Sequence, residues 1–175
     1  EVLAGSGPAD LRAVVETLGT RALELAGVAA GPDEARALVR AALDDGRALA
    51  ALRAMVAAQG GDPAVIDDPR RLPRAAAQAV VAADADGVVA AVDAEAIGRA
   101  AVLLGAGRDR AGDPVDHAAG IRMRVRAGDR VARGTPLVEL HYNAEARLAE
   151  ARALAASAVT FGTPPPPRPL VRAWV

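Results

Sequence analysis

One loop of this chain combines residue types that could bind an anion. Residues 105–114 read GAGRDRAGDP. Glycine lets backbone N–H groups approach an anion closely, and arginine can hold an oxyanion through two parallel hydrogen bonds. The residues that carry this chemistry are Gly105, Gly107, Arg108 and Arg110.

Two features of the loop argue against a phosphate cradle. The loop follows a predicted helix, so the helix end beside it is the negative end of the dipole, whereas phosphate-binding loops precede a helix. Asp109 and Asp113 are also near enough in sequence to neutralise the two arginines. The sequence leaves two interpretations, a structural or mobile closing loop and a loop that contacts a ligand directly.

The rest of the sequence holds few side chains suited to catalysis. It has no cysteine and two histidines, His117 and His141. Neither histidine has a partner at metal-ligand spacing, so we predict no metal site. The serines, Ser6 and Ser157, lie outside any nucleophile motif. We therefore assign no catalytic residue and no cofactor.

Composition limits the class of protein. The formal net charge is −1, from 21 basic and 22 acidic residues, which does not favour nucleic-acid binding. No apolar run reaches the roughly 18 residues of a membrane-spanning helix, and no signal peptide opens the chain. We expect a soluble, cytoplasmic protein. The first residue is Glu1 instead of Met, which suggests a fragment.

Three amphipathic helices are predicted before residue 62, and their apolar faces predict core packing. The first runs from Pro8 to a stop at Gly27 and carries leucines at positions 11, 18 and 25. The second starts at residues 31–34, and the third ends near Gln59. Residues 62–74 contain three prolines and predict a linker.

The next segment predicts a hairpin followed by a helix. Apolar runs at Val80–Ala83 and Val88–Val92 flank Asp86-Gly87, which is a hairpin signal. Asp93 is a predicted N-cap for a helix over residues 94–104. The glycine-rich loop would then be the C-terminal exit of that helix.

The last part of the chain predicts two strands, a helix and a tail. Apolar residues alternate with arginines over residues 121–126, and a second strand follows at residues 136–140. Asn143 is a predicted cap for a helix over residues 144–158. Residues 162–169 predict extended polyproline, and residues 170–174 predict a final strand.

Three ordered segments resemble one enzyme family. Residues 5–12 read GSGPADLR and residues 57–62 read AAQGGD. Residues 104–137 hold Leu-Gly-Ala-Gly-Arg, then Gly-Asp-x-Val, then Gly-x-Pro-Leu. Together these segments resemble the pyrimidine-nucleoside phosphorylases of the thymidine phosphorylase group.

One of these motifs also occurs in another class of protein. Gly128-Asp129-x-Val131 with Gly134 and Leu137 looks like the hammerhead β-module of biotinyl and lipoyl carriers. Those carriers attach their cofactor to a lysine, and this sequence contains no lysine. The carrier function is therefore excluded.

The resemblance implies an α+β protein. Residues 1–74 would be the helical part of the phosphorylase α/β domain with its linker. Residues 75–175 would be the C-terminal domain of the family, a β-rich, hammerhead-like domain of the barrel-sandwich hybrid type.

The resemblance also implies an activity. The resembled enzymes are pentosyltransferases of pyrimidine salvage, homodimers that phosphorolyse thymidine or uridine with inorganic phosphate as co-substrate. Their phosphate- and base-binding residues, including lysines, precede the part that this chain matches, so this chain alone is expected to be inactive. Gly105, Gly107, Arg108 and Arg110 would belong to an edge that orders when two domains close over the nucleoside.

Two other functions fit the sequence. The chain could be a stand-alone interaction module, in which the hammerhead and the proline-rich tail bind a protein partner. It could also be a half-enzyme that needs a separately encoded N-terminal half. The second possibility predicts a large apolar docking face on the first three helices.

Overall fold

The computed structural model of the chain describes residues 1–166 and 169–171, which fold into two compact units. Among the described residues, the first unit is Glu1–Arg71 with residues 169–171, and the second is residues 72–166. Helices and antiparallel strands are both present, so the predicted α+β class is confirmed. Closure of the strands into a barrel-sandwich hybrid, and the division into phosphorylase domains at residues 1–74 and 75–175, stay predictions.

The first unit is helical. A 3-10 turn at Val2–Ala4 precedes three helices, α1 (Ala9–Leu25), α2 (Pro32–Asp44) and α3 (Arg47–Ala58), so the three predicted helices are confirmed. Proline begins α2 because its fixed φ suits the first turn, where its missing N–H would have no partner. No helix in the described residues combines the length and apolar character needed to cross a membrane.

The predicted linker at residues 62–74 is more ordered than its prolines suggest. It contains a short helix, α4 (Ala64–Asp67), and a 3-10 turn at Pro69–Arg71. The side chains of Asp62 and Asp68 each accept a hydrogen bond from the backbone N–H two residues later, at 2.9 and 3.1 Å. Such aspartate turns satisfy the backbone locally, which explains why this segment is not irregular throughout.

One prediction for α1 is wrong, because its leucines do not fill the core of the first unit. Leu11, Leu18 and Leu25 are 49%, 56% and 73% exposed. The helix packs on α2 through another side, where a Cβ on Gly19 would lie 3.1 Å from a methyl group of Val39. Glycine permits this close approach of the two helices.

The second unit contains two three-stranded antiparallel sheets. The strands and helices, in chain order, are β1 (Ala77–Ala82), β2 (Gly87–Val92), α5 (Ala94–Leu103), β3 (Gly120–Met123), β4 (Arg130–Val131), β5 (Pro136–Tyr142), α6 (Leu148–Ser157) and β6 (Val159–Phe161). One sheet has the order β1-β5-β3 and the other β4-β2-β6. The two predicted strands around residues 121 and 136 are therefore confirmed.

The hairpin predicted around Asp86-Gly87 is wrong. β1 pairs with β5, whereas β2 pairs with β4 and β6 in the other sheet. The Asp86 carboxylate accepts a hydrogen bond from the Arg133 N–H at 2.7 Å, and the Ala83 N–H donates to the Thr135 carbonyl at 2.9 Å. These bonds hold the end of β1 on the turn that precedes β5, so the chain crosses to the second sheet instead of folding back.

One of the two predicted helix caps is confirmed. The Asp93 carboxylate accepts hydrogen bonds from the N–H groups two and three residues later, at 2.9 and 3.1 Å, and so caps α5. The predicted cap at Asn143 is wrong, because α6 begins only at Leu148. The Asn143 side chain instead accepts from the Ala76 N–H at 2.7 Å and donates to Asp116 at 2.8 Å.

The core of the second unit draws on both sheets and both helices. Its largest fully buried side chains are Leu140, Val89 and Val138. The helices contribute alanines that are 0% exposed, which lets them approach the strands closely: Ala100, Ala151 and Ala155.

The predicted tail extends past the described residues. The described part of the polyproline segment, residues 162–166 and 169, contains no helix or strand. Residues 167 and 168 of that segment, and residues 172–174 of the predicted final strand, lie outside the described residues.

Candidate functional site

The candidate loop begins where α5 ends, as the sequence predicts. The N–H groups of Gly105 and Ala106 donate to carbonyls of the last turn of α5 at 2.9 and 3.0 Å. Gly105 has a φ of 102°, a conformation that favours glycine. A Cβ on Gly107 would lie 2.7 Å from a methyl group of Val102. Both glycines therefore shape the exit from the helix, which is a structural role.

Asp113 organises the tip of the loop. The Arg108 Nε donates to the Asp113 carbonyl oxygen at 3.0 Å. The Arg110 N–H donates to the Asp113 carboxylate at 2.9 Å, and the Asp113 N–H donates back to the Arg110 carbonyl at 3.1 Å. Thus the backbone carbonyl of Asp113 binds the guanidinium of Arg108, and its carboxylate binds the backbone N–H of Arg110.

Asp109 has a different partner from the one that the sequence suggests. Its carboxylate accepts a hydrogen bond from the guanidinium of Arg147, which immediately precedes α6. The Nε of Arg147 also lies 3.3 Å from the carboxylate of Glu150. The hydrogen bond that Arg147 donates to Asp109, and then the one that it donates to Glu150, raise the pKa of Arg147 above its ordinary value. The expected neutralisation of the loop arginines by Asp109 is therefore wrong.

The loop forms one wall of an open cleft of about 420 Å³ against α5 and α6. Three guanidinium groups and two carboxylates line it together with apolar side chains: Arg99, Val102, Leu103, Arg108, Asp109, Arg147, Glu150 and Leu154. Arginine can bind an oxyanion through paired hydrogen bonds, and a carboxylate can accept a hydrogen bond from a sugar hydroxyl. Both carboxylates of the cleft, Asp109 and Glu150, are paired with Arg147. The chemistry that this arrangement supports is binding and enclosure.

The four predicted site residues are thus separated by role. Arg108 lines the cleft, as a ligand-contacting residue should. Gly105 and Gly107 set the backbone path, and Arg110 holds the tip through its N–H group. Direct contact between these four residues and a ligand stays a prediction.

Asp116 and Asn143, which the sequence analysis did not assign to the site, fix the far end of the loop. The Asp116 N–H donates to the Gly105 carbonyl at 2.9 Å, and its carboxylate accepts from the Ala118 N–H at 2.9 Å and from the Asn143 amide at 2.8 Å. The hydrogen bond from Ala118, and then that from Asn143, hold the pKa of Asp116 below its ordinary range. Aspartate side chains in turns accept a hydrogen bond from the backbone N–H two residues later, and this turn preference could have identified Asp116.

The histidines do not enter this cleft. The Nε2 of His141, on β5, lies 4.0 Å from the carboxylate of Glu139, and Arg124 lies 2.6 Å from the same side chain. His117 is exposed in the segment after the loop. Within the part of the chain that the structure describes, no three histidine, cysteine, aspartate or glutamate side chains are placed to share a metal ion.

Part of the second unit matches a known family model. Residues 88–162, which include the loop, the cleft and both sheets in part, match the pyrimidine nucleoside phosphorylase C-terminal domain. The resemblance to the pyrimidine-nucleoside phosphorylase family is therefore confirmed, and it concerns the C-terminal portion of that family.

Curated members of the family match most of the chain. The pyrimidine-nucleoside phosphorylase of Bacillus subtilis (strain 168) is 45% identical over 145 residues, which are 83% of this chain and 34% of the relative. That of Geobacillus stearothermophilus is 39% identical over the same shares of the two chains. That of Staphylococcus aureus (strain bovine RF122 / ET3-1) is 41% identical over 82% of this chain and 33% of the relative. The chain thus spans about a third of the length of these relatives.

Proposed function

We propose that this chain is the C-terminal portion of a pyrimidine-nucleoside phosphorylase, a pentosyltransferase of pyrimidine salvage. The observation that carries the proposal is the 45% identity to the Bacillus subtilis enzyme over 83% of the chain. The match at residues 88–162 to the C-terminal domain of that family adds to it. The reaction proposed for the whole protein is phosphorolysis of thymidine or uridine.

In this reaction a phosphate oxygen forms a bond to the anomeric carbon while the glycosidic C–N bond breaks. The electrons of that bond leave with the base, which takes up a proton. The products are the free pyrimidine and a ribose or 2-deoxyribose 1-phosphate. The transition state resembles an oxocarbenium ion, which water could also attack, so a closing loop that excludes water would favour transfer to phosphate.

The part of this chemistry that we assign to the present chain is closure. The loop at residues 105–114 carries Arg108 to the wall of the cleft, and the glycines let it turn sharply at the end of α5. In the whole enzyme this loop would cover the bound nucleoside. Gly105, Gly107, Arg108 and Arg110 are the residues proposed for it.

We propose that the chain alone does not catalyse phosphorolysis. The resembled enzymes hold phosphate and base with lysine-containing segments, and this sequence has no lysine. The arginines of the cleft supply groups that bind anions, and its two carboxylates, Asp109 and Glu150, are paired with Arg147. For the whole protein, we propose inorganic phosphate as co-substrate, no organic cofactor, a homodimer and a cytoplasmic location.

The test is a phosphorolysis assay on the purified 175-residue chain, in which the loss of thymidine or uridine absorbance is followed with and without phosphate. We expect no release of base from the chain alone. Addition of the N-terminal two-thirds of the Bacillus subtilis relative should restore release if the halves can associate. Phosphate-dependent release by the chain alone would contradict the proposal.

A further inference from the structure

We propose that Arg147 is the positioning residue of the loop at residues 105–114, because its ion pair with Asp109 holds the loop tip against the start of α6. The catalytic consequence rests on the proposed function, in which this loop closes over the substrate. The contact itself can be tested on the chain without any activity.

The loop tip is braced internally, so it can move as one piece. Hydrogen bonds join Arg108 and Arg110 to Asp113 across the tip, at 2.9 to 3.1 Å. The position of the tip therefore depends on its attachments to other elements. Where the loop leaves α5, the Gly105 carbonyl accepts from the Asp116 N–H. At the tip, among the described residues, the side-chain attachment to another element is the Asp109–Arg147 pair.

Arg147 occupies a position that is unfavourable for its charge. It is the N-cap residue of α6, where the helix dipole is positive and where aspartate, serine or asparagine is preferred. Its side chain makes no capping hydrogen bond to the helix. Helix stability therefore does not account for an arginine at this position, whereas the carboxylates of Asp109 and Glu150 do compensate its charge.

The same pair fixes the charges in the cleft. Arg108 and Asp109 are adjacent in the loop, and both line the cleft together with Arg147. While Arg147 holds Asp109, Arg108 keeps its place on the cleft wall. Loss of the pair would release the tip, and the arginine proposed to contact the ligand would lose its fixed position.

The first test is amide hydrogen exchange over residues 108–113 in the 175-residue chain. Arg147→Gln and Asp109→Asn should each speed exchange about two- to five-fold, the size expected for an exposed ion pair. Glu150→Gln is the matched control, because it removes the other partner of Arg147 without touching the loop, and it should leave exchange over residues 108–113 unchanged. Unchanged exchange in both single variants, with α6 still helical, would overturn the proposal.

A charge exchange and a salt series separate positioning from general loss of structure. The double variant Asp109→Arg with Arg147→Asp should restore slow exchange, because it rebuilds the pair with opposite polarity. Raising the salt concentration should speed loop exchange in the wild-type chain and have little effect in Arg147→Gln, since salt screens an exposed pair. Failure of the double variant to recover, together with equal salt responses, would refute the role of the pair.

The catalytic consequence is measured in a fusion of this chain to the N-terminal two-thirds of the Bacillus subtilis relative. Arg147→Gln should raise KM for the nucleoside several-fold with a smaller change in kcat, and Arg147→Lys should recover part of the loss. An inactive wild-type fusion would count against the proposed function alone, because the exchange measurement tests the contact separately. An active fusion with identical KM and kcat in Arg147→Gln would remove the catalytic role.

Discussion

Thr20 is a buried polar residue of the first unit. The side chain is 6% exposed, and its Oγ1 makes no hydrogen bond within the described residues. A buried hydroxyl without a partner loses its hydration and gains nothing in return. Thr17, one turn earlier, differs because its hydroxyl donates to the Ala13 carbonyl at 2.7 Å.

The pair of threonines gives a matched prediction. Thr20→Val keeps the shape of the side chain and removes the unpaired hydroxyl, so it should raise the free energy of unfolding by about 1 kcal/mol. Thr17→Val removes a made hydrogen bond and should lower that free energy by about 0.5–1 kcal/mol. Urea denaturation followed by circular dichroism measures both. If Thr20→Val lost as much stability as Thr17→Val, the interpretation that the Thr20 hydroxyl lacks a hydrogen-bond partner would be contradicted.

Glu16 links the stability of the first unit to pH. Its carboxylate accepts hydrogen bonds from Arg40 at 2.9 Å and Arg12 at 2.8 Å, and these hold its pKa below the ordinary 4.5. The folded state therefore binds the proton more weakly than the unfolded state. The stabilisation is present above about pH 4.5 and is lost as the pH falls through the lowered pKa.

The prediction concerns the difference in the free energy of unfolding between the wild-type chain and Glu16→Gln. Glu16→Gln should be less stable than wild type at neutral pH, and the gap should narrow as the pH is lowered below 4.5. Urea midpoints between pH 7 and pH 3 would measure it. Glu24→Gln is the control, because its partner Arg21 lies 3.7 Å away, and the change at neutral pH should be smaller. A stability difference that widens as the pH falls would contradict a lowered pKa of Glu16 in the folded state.

At the scale of elements, the two polar residues predicted as caps should behave differently. Asp93→Ala removes both capping bonds of α5 and should cost about 1 kcal/mol, with faster amide exchange in its first turn. Asn143→Ala should speed exchange at Ala76 and leave the first turn of α6 unchanged. Hydrogen exchange resolved by residue tests both variants. Faster exchange at the start of α6 in Asn143→Ala would restore the cap that the structure does not show.

The helices and the cap of α5 are predictable from the sequence because their signals are local. Proline at the start of α2 and Asp93 before α5 act within one turn of the residues that they order. Strand pairing is different, because β1 could pair with β2 or with a strand about 60 residues later by the same alternation. The hydrogen bond from the Arg133 N–H to Asp86 spans 47 residues and belongs to the observed pairing, and no local sequence pattern reveals it.

The candidate site shows the same division. The glycines and the position of the loop after α5 are predictable, because each depends on neighbouring residues. The partner of Asp109 is not predictable, because Arg147 is 38 residues away in the sequence and any arginine within reach could pair with the same carboxylate. The residues around Asn143 likewise predict a helix cap. Its actual role, a link between Asp116 and Ala76, depends on contacts that form only in the folded chain.

At the scale of the whole molecule, the two units differ in what they leave exposed. The second unit buries Leu140, Val89 and Val138 completely. The first unit leaves Leu18 and Leu25 more than half exposed. The chain also corresponds to about a third of its relatives, 34% of the Bacillus subtilis enzyme. These observations are consistent with the proposal that the chain is the C-terminal portion of a pyrimidine-nucleoside phosphorylase.

The most direct test of that view is the activity of a covalent fusion. The N-terminal two-thirds of the Bacillus subtilis relative is joined in phase to this chain, which replaces the matching third, and base release from uridine and thymidine is measured with and without phosphate. We predict phosphate-dependent release by the fusion and none by either part alone. A folded fusion that binds nucleoside but releases no base, or a chain that releases base by itself, would contradict the account.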